Sequence, residues 1–96
     1  MKARLRFWQK ATLQERYLLE VVMYEIEKSD DYKQGIKYGF ILVDLVTHRR
    51  VLMDNHHPKG PHIHLDEQEF PYEFVDEEKL FEDFTALALK HLGVML

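Results

Sequence analysis

The chain has 96 residues, 46% of them apolar, with six Phe, five Tyr, one Trp and no Cys. Those values suit one small packed domain, spanning 1–96, and argue against a disordered chain, a disulfide framework or a thiolate metal site. The net charge of −4 conceals an asymmetry: residues 1–50 carry ten Lys and Arg against seven Asp and Glu, while residues 51–96 carry three against ten.

The opening Met1-Lys2-Ala3-Arg4-Leu5-Arg6 is not followed by the apolar segment of a signal peptide. No run approaches the roughly 18 apolar residues of a spanning helix. A cytoplasmic location without membrane contact is therefore expected. Residues 2–10 alternate, which predicts a first strand with Ala3, Leu5 and Phe7 on one side and Lys2, Arg4, Arg6, Trp8 and Lys10 on the other. Cations on that face can hold phosphates and Trp8 can stack on a base, so Lys2, Arg4, Arg6 and Trp8 form a candidate nucleic-acid-binding set. The same pattern also suits an edge strand protected by its charges.

Residues 12–28 pull in two directions. Thr12-Leu13-Gln14-Glu15 has the form of a helix capping box. A helix here, however, would be apolar nearly all round, and Val21-Val22 with Tyr17 and Tyr24 favour a strand from about 16 to 27. Residues 28–37 are polar and read as a loop. The run Tyr38–Val46 is the most apolar in the chain and is expected to be a central strand, with Ile41, Val43 and Leu45 among its best-buried residues. A short turn at Thr47–Arg50 leads into a second strand at about 50–54. After the turn Asp66–Glu69, Phe70–Phe74 reads as a short strand or extended segment. Asp76 is a good N-cap, Glu77 and Glu78 suit a first turn, and Leu80, Phe81, Phe84, Leu87 and Ala88 form one stripe, so a helix is expected over 77–92. The expected fold is α+β: an antiparallel sheet of four to five strands with a C-terminal helix packed on one face.

The chemically dense stretch is Asp54–Asp66, D-N-H-H-P-K-G-P-H-I-H-L-D, which holds four of the six histidines. Pro58-Lys59-Gly60-Pro61 must turn. If Ile63 and Leu65 then face the core, His62 and His64 point together to the opposite face. Three chemistries are open. Two imidazoles on one face, with Asp54, Asp66, His56 or His57, can hold a metal, although no zinc-finger or H-E-x-x-H spacing is present. A histidine pair can instead cleave RNA without metal, one taking a ribose 2′-hydroxyl proton and the other protonating the leaving oxygen, with Lys59 or the amides near Gly60 stabilising the added charge. Alternatively, the residues only build a polar turn.

The order of these parts resembles a known family. A hairpin, D-N-H-H, P-K-G-P-H-x-H, then P-Y-E-F-V and an acidic-capped helix E-K-L-F-E-D-F are similar to the small bacterial TumE-type proteins, over about Tyr38 to Phe84. The resemblance implies the toxin half of a toxin–antitoxin pair, with a helix-turn-helix-type antitoxin as cognate partner; RNA is a possible partner from the histidine and cation readings alone. It singles out Asp54, Asn55, Lys59, Gly60, His62 and His64 as motif positions without assigning them a reaction. The expected function is a toxin, hypothetically a metal-independent ribonuclease without cofactor, with His62, His64, Lys59 and Asp54 as catalytic candidates. The alternative is a non-enzymatic module whose histidine turn contacts a protein or a divalent metal. The acidic second half departs from the pattern of a free RNA binder.

Overall fold

A computed structural model describes residues 3–96. Six strands follow in chain order: β1 (Arg4–Leu13), β2 (Tyr17–Glu25), β3 (Ile36–Asp44), β4 (Arg50–Asp54), β5 (His62–Leu65) and β6 (Gln68–Pro71). Each pairs antiparallel with its sequence neighbour, so the sheet runs β1-β2-β3-β4-β5-β6. A helix, α1 (Glu77–Leu87), continues through a wider π turn at Ala88–Leu92 and stops at Gly93, whose φ of 70° suits glycine. Asp76 caps α1 by accepting from the Lys79 amide at 2.7 Å, as its sequence position predicts. No helix among the described residues is long and apolar enough to cross a membrane.

The sheet has six strands rather than four to five because Gln68–Pro71 pairs with β5 after a tight turn at Asp66-Glu67. Residues 12–28 form no helix. β1 extends through Leu13, and the chain reverses at Gln14 and Glu15, which both take positive φ, 53° and 55°. That is the twist a short hairpin needs between right-twisted strands.

The single helix covers one sheet face, and the pleat decides which residues lie beneath it. Phe40, Leu42, Val51 and Met53 are each 0% exposed there, packed with Val21, Met23 and Tyr38 under Leu80, Phe84 and Ala88. Phe40 meets Phe81 and Phe84 at ring separations of 4.9 and 5.5 Å. The expected burial of Ile41, Val43 and Leu45 is therefore corrected. Ile41 and Val43 are half-buried on the uncovered face, and Leu45 lies beyond β3 and is 50% exposed. The uncovered face carries Leu18, Val22, Ile41, Val43 and Leu52, all half-buried.

Alternation in β1 also breaks. The register with β2 shifts between Leu5 and Phe7, so the strand bulges at Arg6. Phe7 turns to the helix side and meets Phe81 edge-on at 5.6 Å, and Arg6 pairs with Glu77 of α1 at 2.9 Å. The expected single cationic face is thereby divided.

Asp44 ends β3 and ties the two turns at that end of the sheet. Its carboxylate accepts two hydrogen bonds from Arg16, at 3.0 and 2.8 Å, and further ones from the Val46 and Thr47 amides. Arg16 first, then those amides, hold its carboxyl well below the usual range against the opposing effect of burial. A depressed folded-state pKa adds stability above the unfolded value of about 4 and loses it as pH falls. Urea titrations across acidic pH should therefore show the stability gap between wild type and Asp44→Asn shrinking below about pH 4. The pleat is tested separately: Leu42→Ala should cost about 2–5 kcal/mol in urea unfolding, and Leu45→Ala no more than about 0.5 kcal/mol.

Candidate functional site

The histidine turn joins β4 to β5 at the edge of the uncovered face. Pairing sets Asp54 opposite His62 and Leu52 opposite His64, while Met53 faces Ile63 and Val51 faces Leu65 on the helix side. Ile63 and Leu65 pack against the core, so His62 and His64 share the other face, as alternation predicts. Their rings stand edge-to-face with centroids 4.7 Å apart.

Asp54 and His62 are 8% and 7% exposed, which is unusual for such polar side chains. His62 is held at both nitrogens. Nδ1 lies 2.6 Å from the Gly60 carbonyl oxygen, and Nε2 lies 3.1 Å from Asp54 Oδ1. Gly60 has a φ of 72°, a backbone conformation that a side chain would strain. Asp54 Oδ1 also accepts from the His56 amide at 3.3 Å. The potential ligand atoms of Asp54, His62 and His64 all lie within 4.8 Å of one another.

Glu69 on β6, opposite His64, completes this group, with Oε1 3.9 Å from His62 Nε2. Lys59 Nζ pairs with its other oxygen at 3.0 Å. That contact, chiefly, keeps the Glu69 carboxyl below its ordinary range, with burial opposing and the two histidines assisting. Sequence reading placed Glu69 in a turn. Its signal was a further alternating pair, Glu69 and Pro71, after the hairpin reversal. Beside the group lies a depression of about 320 Å³ lined by Lys59, Pro61, His62, Glu69, Phe70 and Pro71.

Other members of the stretch go elsewhere. His57 is exposed and pairs with Asp31 at 2.9 Å, and the His56 side chain faces solvent. Asp66 turns away from the histidine pair: it accepts from the Arg50 amide at 2.8 Å and lies 2.9 Å from His91 Nε2, joining the β5–β6 turn to the end of the helix.

Asn55 is a structural clip. Its Oδ1 accepts from the Tyr38 amide at 2.9 Å and its Nδ2 donates to the Ile36 carbonyl at 2.7 Å, replacing the strand partner that β3 loses where β4 ends.

The cationic strand is at the far edge of the sheet. β1 and β5 are four ladder steps apart, roughly 19 Å. Trp8 is on the uncovered face, like the histidines, with Nε1 donating to Glu20 at 3.2 Å. Arg6 is engaged by Glu77 and Glu25, and Arg4 pairs in register with Glu25. Lys2 lies outside the described residues.

Comparison of the chain with protein-family profiles, characterised proteins and solved structures finds no match.

If Asn55 acts as a clip, Asn55→Ala strands a buried amide and a carbonyl, and unfolding in urea should become easier by about 1–3 kcal/mol. A change below about 0.5 kcal/mol would mean that water replaces both bonds at no cost.

Proposed function

We propose that the chain is the toxin component of a bacterial toxin–antitoxin pair, with a helix-turn-helix-type antitoxin as partner, and that it cleaves RNA through Asp54, His62 and His64. What carries the reading is that residues far apart in chemical type but close in the sequence motif converge on one half-buried group. Asp54 comes from β4, Gly60 from the turn, and His62 and His64 from β5. A polar turn needs no such arrangement, because it satisfies its groups with water.

The roles follow from what each side chain has free. Among the described residues no hydrogen bond reaches the His64 ring, so His64 is the side chain available to take a ribose 2′-hydroxyl proton. His62, held between Gly60 and Asp54, is suited to stabilise charge or to return a proton to the leaving 5′-oxygen once its contact with Asp54 opens. Lys59 is in an exposed ion pair, which holds it weakly and leaves it able to turn to a phosphate. Trp8, on the same face, supplies a surface on which a base beyond the cleaved bond can stack. The separation of roughly 19 Å suits a single strand lying across the sheet rather than a compact ligand.

Induction of the wild-type chain should arrest a bacterial culture, and the purified protein should cut single-stranded RNA. His64→Ala, folded by circular dichroism, should lower the cleavage rate by at least about 100-fold and relieve the arrest. Equal arrest by both would discard the site, while intact growth and intact RNA with wild type would favour a non-enzymatic binding module.

A further inference from the structure

His62 poses a problem in charge that its surroundings do not solve by hydrogen bonding alone. A neutral imidazole has one N–H and one lone pair. Nδ1, at 2.6 Å from the Gly60 carbonyl oxygen, must carry the N–H, because a carbonyl only accepts. Nε2 then presents its lone pair to Asp54 Oδ1 at 3.1 Å, and an ionised carboxylate has no proton to offer. Both side chains are largely buried, 12% exposed for Asp54 and 9% for His62, so water screens the contact only weakly. The contact closes with a proton shared between the two atoms or with a cation bound by both.

The neighbours offer a cation more donors than a proton needs. A proton requires only Asp54. Here a second imidazole, His64, stands edge-to-face at 4.7 Å, and a second carboxylate oxygen, from Glu69, lies 3.9 Å from the same Nε2. A histidine that gives its far N–H to a backbone carbonyl, with its near nitrogen towards a carboxylate, has the orientation of a metal ligand fixed from behind. Tetrahedral bonds of about 2.0–2.1 Å would place ligand atoms roughly 3.4 Å apart. The present group is wider, with all three ligand atoms within 4.8 Å, so binding requires the side chains to draw together.

We propose that Asp54, His62 and His64 form a binding site for a late first-row divalent cation such as Zn²⁺, with Glu69 at its rim. Two nitrogen donors and one carboxylate suit such ions and disfavour Mg²⁺ and Ca²⁺, which take oxygen ligands. The depression lined by Lys59 and Glu69 adjoins the group at His62. There the ion would face an incoming phosphate with positive charge, in a patch otherwise held by two carboxylates and a single lysine. The proposal uses the residues of the functional reading above but not their acid–base roles: with the cation bound, His62 and His64 are ligands, and the histidine acid–base chemistry belongs only to the unloaded chain.

The test uses the purified full chain, stripped with chelator and titrated with Zn²⁺ by calorimetry, with Co²⁺ absorption reporting ligand geometry. One equivalent should bind, raising the melting temperature. Asp54→Asn and His64→Ala should each weaken binding at least about tenfold, while His56→Ala and His57→Ala leave it unchanged. Asp54→Asn preserves side-chain shape, so it reports on the site even if the histidine variant unfolds. Absence of stoichiometric Zn²⁺ binding, binding that survives Asp54→Asn, or a preference for Mg²⁺ would overturn the proposal. Tight binding without RNA cleavage would leave it standing and reject the RNA-cleaving reading. Cleavage by metal-free protein that takes up no Zn²⁺ would do the reverse.

Discussion

One helix has to serve a six-stranded sheet, and most of the molecule follows from that shortage. A sheet has two faces and α1 covers one, so the pleat of each strand sorts its side chains into a dry set and a wetted set. The dry set, centred on Phe40, Leu42, Val51 and Met53 beneath Leu80 and Phe84, forms the core. The other set is half apolar, from Leu18 to Leu52, and towards β6 it becomes the buried Asp54 and His62 with the more open His64 and Glu69. The candidate site therefore lies on the face that no element covers, on strands whose other face is anchored in the core. Anchoring on one side and access on the other is what a reactive or ligand-binding group needs.

Much of this was legible in the amino-acid order. The helix was written in its cap and stripe, and the hairpin of β3 and β4 in two apolar runs around a polar turn. His62 and His64 could be placed side by side because Ile63 and Leu65 between and beyond them are apolar. The misreadings have equally specific causes. β3 is apolar at successive positions, so period two cannot say which set faces the helix, and Asp44 in the buried phase gives a misleading cue until its bonds with Arg16 are seen. The bulge at Arg6 leaves no trace in residue type. The reversal at Gln14-Glu15 lacks the Gly or Asn that would announce it. Asn55 looks like a site residue in a motif, yet its two hydrogen bonds to β3 show it to be part of the frame.

The electrostatics of the site are anionic at close range, and the strand rich in cations is at the other edge with part of its charge neutralised locally. A phosphate approaching His64 would meet Asp54 and Glu69 before anything basic other than Lys59. This is where the halves of the chain differ physically: the cations of β1 end up across the sheet from Asp54 and Glu69. A bound divalent ion and a strand that reaches Trp8 are the two means by which such a face could hold a polyanion. They would act at different places, one at the histidine pair and one at the opposite edge of the sheet.

The strictly sequential strand order also governs how the molecule comes together. Every ladder joins neighbours in the chain, so no strand waits for a distant partner and loop closure costs remain small. The hairpin of β1 and β2 can pair before the later strands have been synthesised. The helix is the last element, and until residues 77–94 arrive both faces of the growing sheet are bare. During synthesis the chain therefore passes through a stage in which Phe40, Leu42 and Met53 have strand partners but no roof. That interval, rather than the finished fold, is when the protein is most open to capture by another apolar surface.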